Sequence, residues 1–105
     1  MGSSHGSNMT VNSSIIKNSI EHYGVDTQST VCMEECAELI QAISKEKRGK
    51  HDYKHLAEEI ADVIICISML QAMYHVNDLD IQRWIEYKEE RIVERMRKDE
   101  RKAKV

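Results

Sequence analysis

The chain has 105 residues, an apolar share of 41% and a formal charge of −3. These values suit one soluble domain and exclude a disordered chain. The longest uninterrupted apolar run, residues 63–67, is far too short to cross a bilayer, so no membrane partner is expected. Acidic and basic residues are interleaved throughout, which gives no support to nucleic-acid binding. A domain of this size buries only roughly 60 to 70% of the surface its unfolded chain exposes, which makes self-association an expectation.

Residues 1–9 are rich in Ser, Gly and His and read as an expression scar ahead of a native start near Met9, leaving 10–105 as a single helical domain. Without a signal-peptide core, the expected location is cytoplasmic. Cys32, Cys36 and Cys66 are odd in number, lack Cys-x-x-Cys spacing and sit in apolar helical patterns, so buried free thiols are expected.

There is no proline, and Gly24 and Gly49 are the glycines of the native region, so long helices separated by two glycine stops are predicted. Residues 11–23 carry Ile15, Ile16, Ile20 and Tyr23 at helical spacing, with Gly24 placed as the C-terminal cap. A second helix starts from one of the caps Asp26, Thr27, Ser29 or Thr30 and reaches Gly49, with Cys32, Cys36, Leu39, Ile40 and Ile43 on its stripe. Asp52 caps a third helix with the stripe Leu56, Ile60, Val63, Ile64, Ile67, Leu70 and Tyr74, expected to be the most buried segment. After a turn at 76–78, a fourth helix from about Leu79 has a thinner apolar face, Ile81, Ile85, Ile92 and Met96, and is expected to fray beyond Arg97. No stretch alternates with period two, so the fold class is all-α, a four-helix bundle-like arrangement around a central antiparallel hairpin.

The hairpin carries an internal echo. Glu34-Glu35-Cys36-Ala37-Glu38 on the second helix is matched by Glu58-Glu59-Ile60-Ala61-Asp62 on the third. Helical spacing stacks Glu35 over Glu38 and Glu59 over Asp62. At about 100° per residue, Glu35 lies only about 40° from Leu39, and Glu59 equally close to Val63, so both acid pairs border the apolar stripes. A short link makes the two helices antiparallel neighbours, and the pairs can converge at one level. Carboxylates gathered beside a core repel one another and lose solvation, a conflict that a cation resolves. Oxygen donors alone favour Mg²⁺, with Mn²⁺ as a substitute, over zinc. A ferritin-like centre would need Glu-x-x-His, which is missing, and His22, His51, His55 and His75 read as capping or surface residues.

This pattern resembles the MazG-like nucleoside triphosphate pyrophosphohydrolases, all-α enzymes whose signature is two glutamates, two spacers and a glutamate, then a glutamate, two spacers and an aspartate. Glu34, Glu35, Glu38, Glu59 and Asp62 match it, and the resemblance runs from about Ile15 to Met96. It implies that Glu35, Glu38, Glu59 and Asp62 hold magnesium and that Glu34 orients or deprotonates the attacking water. It also implies hydrolysis of a nucleoside triphosphate to the monophosphate and pyrophosphate at the α-phosphorus, in cleansing a nucleotide pool, by a homo-oligomer, dimer or tetramer, in which a neighbouring chain completes the site. Lys45, seven residues after Glu38 and on nearly the same face, is a phosphate candidate, and Lys88, Arg91 and Arg95 are candidates for a phosphate clamp on the fourth helix. Many relatives place an asparagine after this lysine, where this chain has Arg91 and Ile92. The competing reading is a non-catalytic oligomerisation or partner-binding module with the acids as a structural metal clasp. Trp84 and Tyr87 read as packing, and the charged run after Arg91 as a solvated face.

Overall fold

A computed structural model describes residues 9–103, so the leader expected at 1–9 lies, apart from Met9, outside the described residues. The chain is all-α: α1 (Ser13–Tyr23), α2 (Val25–Lys47), α3 (Tyr53–Tyr74) and α4 (Asp78–Ala103). They group into two compact units, the first ending at His75 and the second beginning at Val76, where the sequence expects one domain.

Asn12 starts α1 by accepting the backbone N–H groups of Ser14 (3.0 Å) and Ile15 (3.1 Å) on its side-chain oxygen. Gly24, at φ 91°, ends α1 through its N–H to Ile20 O and begins α2 through its carbonyl, which accepts Gln28 N–H. One glycine thus replaces the linker, and α2 starts ahead of the expected side-chain caps. Asp26 and Thr30 lie inside the helix, where the Thr30 hydroxyl donates to Asp26 O.

Between α2 and α3, Gly49 takes φ 84° and the N–H groups of Gly49 and Lys50 close onto Glu46 O and Lys45 O. The Glu46 carboxylate crosses the turn to His51 Nδ1 (2.7 Å) and accepts the N–H of Asp52 (2.9 Å). Asp52 then caps α3 by accepting His55 N–H at 3.1 Å, as its position in the sequence predicts.

From that turn the two helices run antiparallel in a fixed register. Glu38 meets Glu59, Glu35 meets Asp62, the Cys32 thiol donates to Cys66 O, Gln28 donates to the Met69 sulfur, and Ser29 reaches Met73 and Tyr74. Each turn gained toward the start of α2 is matched by a turn along α3. At the far end, Ile16 of α1 joins Cys32, Cys66, Met69 and Met73 in the core, with Val11 and Ile20 against it.

The buried line differs from the expected stripes. On α2 it is Gln28, Cys32 and Ala42, and on α3 it is Glu59, Cys66, Met69 and Met73. Cys36 is exposed instead of buried, Ile40 is 67% and Ile43 47% exposed, and Ile60, Ile67, Leu70 and Tyr74 are also exposed. The helices meet along a seam rotated away from their most hydrophobic residues; α1 covers one end of the seam through Ile16, and one face of the hairpin stays open. That face is a groove of about 540 Å³ lined by Met33, Cys36, Ala37, Ile40, Leu70 and Tyr74 among others.

In the second unit the Asn77 side chain accepts Asp80 N–H at 2.8 Å at the start of α4. The helix begins at Asp78 and continues to Ala103, beyond the Arg97 at which fraying is expected, and it has no buried residue. Among the described residues no helix is long and apolar enough to cross a membrane.

Candidate metal centre

The middle of the hairpin brings the echoed acids face to face. Glu59 is the charged side chain at the centre, only 3% exposed, while Glu35 and Asp62 are half-buried and Glu38 is exposed at the edge. Glu35 and Asp62 are hydrogen-bonded carboxyl to carboxyl, and this bond, burial, and the charges of Asp62, Glu38 and Glu59 raise the Glu35 pKa to about 7. Glu59 is also pushed up, first by loss of solvation and then by its hydrogen bond to Glu38. All four acids therefore sense one another, two on each helix, as the spacing predicts.

A carboxyl can hydrogen-bond to a carboxylate only when one of the two keeps a proton, so the pairs are poised between sharing protons and sharing a cation. Among the described residues no group of three or more His, Cys, Asp or Glu side chains is already arranged around a metal position. The acids close on each other pairwise across the seam, on successive turns. The donor set nevertheless fits a hard divalent ion: it is all oxygen, it is carried on paired helices, and among the described residues none of the four acids forms an ion pair. His55 lowers the Glu59 pKa slightly against the raising effects, and its own ion-pair partner is Glu58 at 3.9 Å.

Glu34 is exposed and, about 100° around α2 from Glu35, outside this set of mutual contacts. Lys45 lines a cavity of about 160 Å³ at the turn end of the hairpin, walled by Ala42 and Leu56. Lys88, Arg91 and Arg95 are exposed on α4. There the Lys88 ammonium lies 5.7 Å from the Trp84 ring and the Arg91 guanidinium 5.9 Å from the Tyr87 ring. Trp84 and Tyr87 pack edge to face on each other at 5.7 Å, and Arg91, Glu94, Arg95 and Lys98 line a separate hollow on that helix.

Cys32 and Cys66 are buried free thiols, and Cys36 is an exposed one. Burial pushes the Cys66 thiol up to about 12, helped by its contact with Cys32, and a thiol in that state is unreactive. His51 serves the turn by pairing with Glu46.

Two features escape the sequence reading. Gln28 is buried at 5% with its amide against the Met69 sulfur, a polar residue inside the seam four positions before Cys32. Glu46 lies in the last turn of α2, where an acid opposes the helix dipole; that misfit is the signal that it has a dedicated partner, here His51 and the Asp52 N–H.

Residues 24–100 match the family described as the MazG nucleotide pyrophosphohydrolase domain. No curated protein and no solved structure matches the chain.

Proposed function

The chain belongs to the MazG nucleotide pyrophosphohydrolase family, and from that premise we propose that it hydrolyses a nucleoside triphosphate, ribo- or deoxyribo-, to the monophosphate and pyrophosphate in a magnesium-dependent reaction. The observation that carries this reading is the facing of Glu35 with Asp62 and Glu38 with Glu59 across the hairpin, where the pKa of Glu35 and of Glu59 is raised.

Glu35, Glu38, Glu59 and Asp62 would hold Mg²⁺, or Mn²⁺ in its place. A divalent ion bound there neutralises polyphosphate charge and makes water a stronger nucleophile. The residues of the chain do the rest. The four carboxylates give up their shared protons, fix the level along the hairpin at which the triphosphate sits, and keep the site electrically balanced. Glu34, one residue from Glu35 and open to solvent, is the proposed acceptor of the attacking water's proton. Water oxygen bonds to the α-phosphorus, the bond to the α,β-bridging oxygen breaks, and pyrophosphate departs with that oxygen. Lys45 beside the acid level offers positive charge to the phosphates, and Lys88, Arg91 and Arg95 are the candidates on α4.

Assembly of several copies belongs to the same reading. Met33 is 72% and Ile40 67% exposed on the open hairpin face, and Trp84, Ile92 and Met96 are exposed on α4. A second copy is the expected cover.

The test is a panel of NTPs and dNTPs with Mg²⁺, read for monophosphate and pyrophosphate. Turnover of at least one member that Glu38→Gln abolishes, with helical content intact, supports the enzyme. Complete inactivity of the wild type against the panel counts decisively against it.

A further inference from the structure

We propose that α4 pairs with α4 of a second copy, the two helices running parallel and each covering Ile81, Ile85, Ile92 and Met96 of the other. This pairing rests on the assembly of copies already proposed and gives it one contact and a direction. α4 is 26 residues long and has no buried residue, although helices in water owe most of their stability to a packed apolar face. At about 100° per residue, those four side chains fall within about 60° of one another and form one stripe along the helix. Ile85, Ile92 and Met96 are exposed, and Ile81 is half-buried. Asp78 and Asp99 close the stripe at its two ends, which confines the contact to residues 81–96.

The flanks of the stripe decide what covers it. From the stripe's centre line, Lys88 lies about 50° to one side and Glu89 about 50° to the other. Arg95 and Glu100 follow at about 70°, and Arg91 and Glu86 at about 110°, each base on the Lys88 side and each acid on the Glu89 side. Among the described residues no ion pair takes up any of these six, and the ion pair that α4 does make joins Arg101 to Glu94. Lys88 and Arg91 rest over the rings of Trp84 and Tyr87, contacts that leave their positive charge in place.

A basic flank and an acidic flank on either side of one apolar stripe make this surface complementary to itself in one sense only. When two copies of a helix pair in parallel, the basic flank of each faces the acidic flank of the other. Lys88 of each copy then meets Glu89 of the other at one level, and Arg95 reaches toward Glu100. In an antiparallel pair like flanks meet, which sets Lys88, Arg91 and Arg95 against their own counterparts, and the acids likewise. A foreign partner of a single charge sign suits one flank and opposes the other. Four apolar side chains a copy make too small a contact to hold a dimer alone, so α4 pairing accompanies the cover of the open hairpin face.

The experiment is disulfide trapping in the full chain, with Cys36→Ser removing the exposed native thiol. Ile81→Cys and Met96→Cys, each made singly in that background and oxidised in air, should each yield a covalent dimer on a non-reducing gel. Parallel pairing brings residue 81 beside residue 81, whereas antiparallel pairing about the middle of the stripe separates the two by about 22 Å, beyond disulfide reach. Glu89→Lys should weaken assembly about tenfold, read by light scattering against concentration, and Lys88→Glu combined with Glu89→Lys should restore it. Circular dichroism checks that each variant is folded. Linkage found only when the Ile81→Cys and Met96→Cys chains are mixed, no covalent dimer from either, or assembly indifferent to Glu89→Lys each overturns the parallel pair. An assembled wild type without these cross-links removes the α4 contact and leaves the assembly standing, whereas a wild type of one-chain mass overturns both.

Discussion

Two regions of the same hairpin invert the usual relation between hydropathy and burial. In the seam, Glu59 is 3% exposed among other acids; on the open face, Ile40 is 67% exposed beside Met33 and Leu70. A helix pair free to maximise apolar burial would rotate until the isoleucines faced inward. This pair does not, because its register also brings Cys32 to Cys66, Gln28 to Met69 and Ile16 onto the core. The difference teaches that each region carries an unfavourable element in the lone chain, raised carboxyl pKa values in the seam and exposed apolar side chains on the open face, which the proposed metal and the proposed second copy would relieve.

The sharpest way to break the comparison is to neutralise the seam without changing its shape. Glu38→Gln and Glu59→Gln should each lower triphosphate hydrolysis at least about 100-fold, because a ligand oxygen and its charge are both lost. In the metal-free protein, Glu59→Gln should raise the melting temperature, since a carboxyl disfavoured by burial and by Glu38 is replaced with a neutral amide. A fall in both activity and metal-free stability would mean that Glu59 is structural. On the other face, Ile40→Glu should leave the helical content unchanged and shift the light-scattering mass to that of one chain. Persistence of an assembled species would move the interface elsewhere.

Much of this contrast can be read from the residue order, and some cannot. The echo Glu34 to Glu38 against Glu58 to Asp62 places the acids on facing helices with no structural input, and the structure pairs them accordingly. Asp52 is legible as a cap because an isolated acid follows a glycine turn and precedes a periodic run. The true buried line is not legible. Periodicity identifies an apolar stripe, but Glu35 and Ile40 lie about 140° apart around α2, and which of them faces the partner helix is decided by packing between helices that periodicity does not contain. Cys36 is misplaced for the same reason, lying on the exposed side with Met33 and Ile40. Gly24 hides the start of α2, since a backbone carbonyl does the work that the sequence assigns to a side chain.

Acidity should sharpen the comparison along the hairpin. The Glu35 pKa is raised from its ordinary 4.5 to about 7, so the folded state favours the protonated form. That contribution to stability is fully present below about pH 4.5 and is lost as pH rises through 7, so the metal-free melting temperature should fall over this window. Saturating Mg²⁺ should reverse the fall near pH 7 and do little at pH 4.5, where the pairs retain their protons. At the turn, Glu46 has the opposite sign. The Asp52 N–H and His51 lower its pKa, so its contribution is present above pH 4.5 and lost as pH falls through the lowered value. Thermal melts from pH 3 to 8, roughly in half-unit steps with and without chelator, separate the two, because only the upper window should respond to magnesium. A metal-free melting temperature that stays level between pH 4.5 and 7 would show that the acids are too far apart to share protons.

The smallest expected effect tests whether stability and chemistry are separable in this chain. Asn12 caps α1 through two backbone N–H groups and belongs to the end of the first unit where Ile16 meets Cys66 and Met73. Asn12→Ala should cost about 0.5–2 kcal/mol, which in a chain of this size lowers the melting temperature by roughly 4–8 °C per kcal/mol. The acids meet on the middle turns of α2 and α3, beyond the core cluster from the α1 cap, so the turnover rate at 25 °C and the magnesium-dependent window between pH 4.5 and 7 should both persist. If this loosened cap instead removed the magnesium response, α1 would be setting the rotation of the hairpin continuously. The acid seam would then be a consequence of core packing, and not an arrangement its own helices maintain.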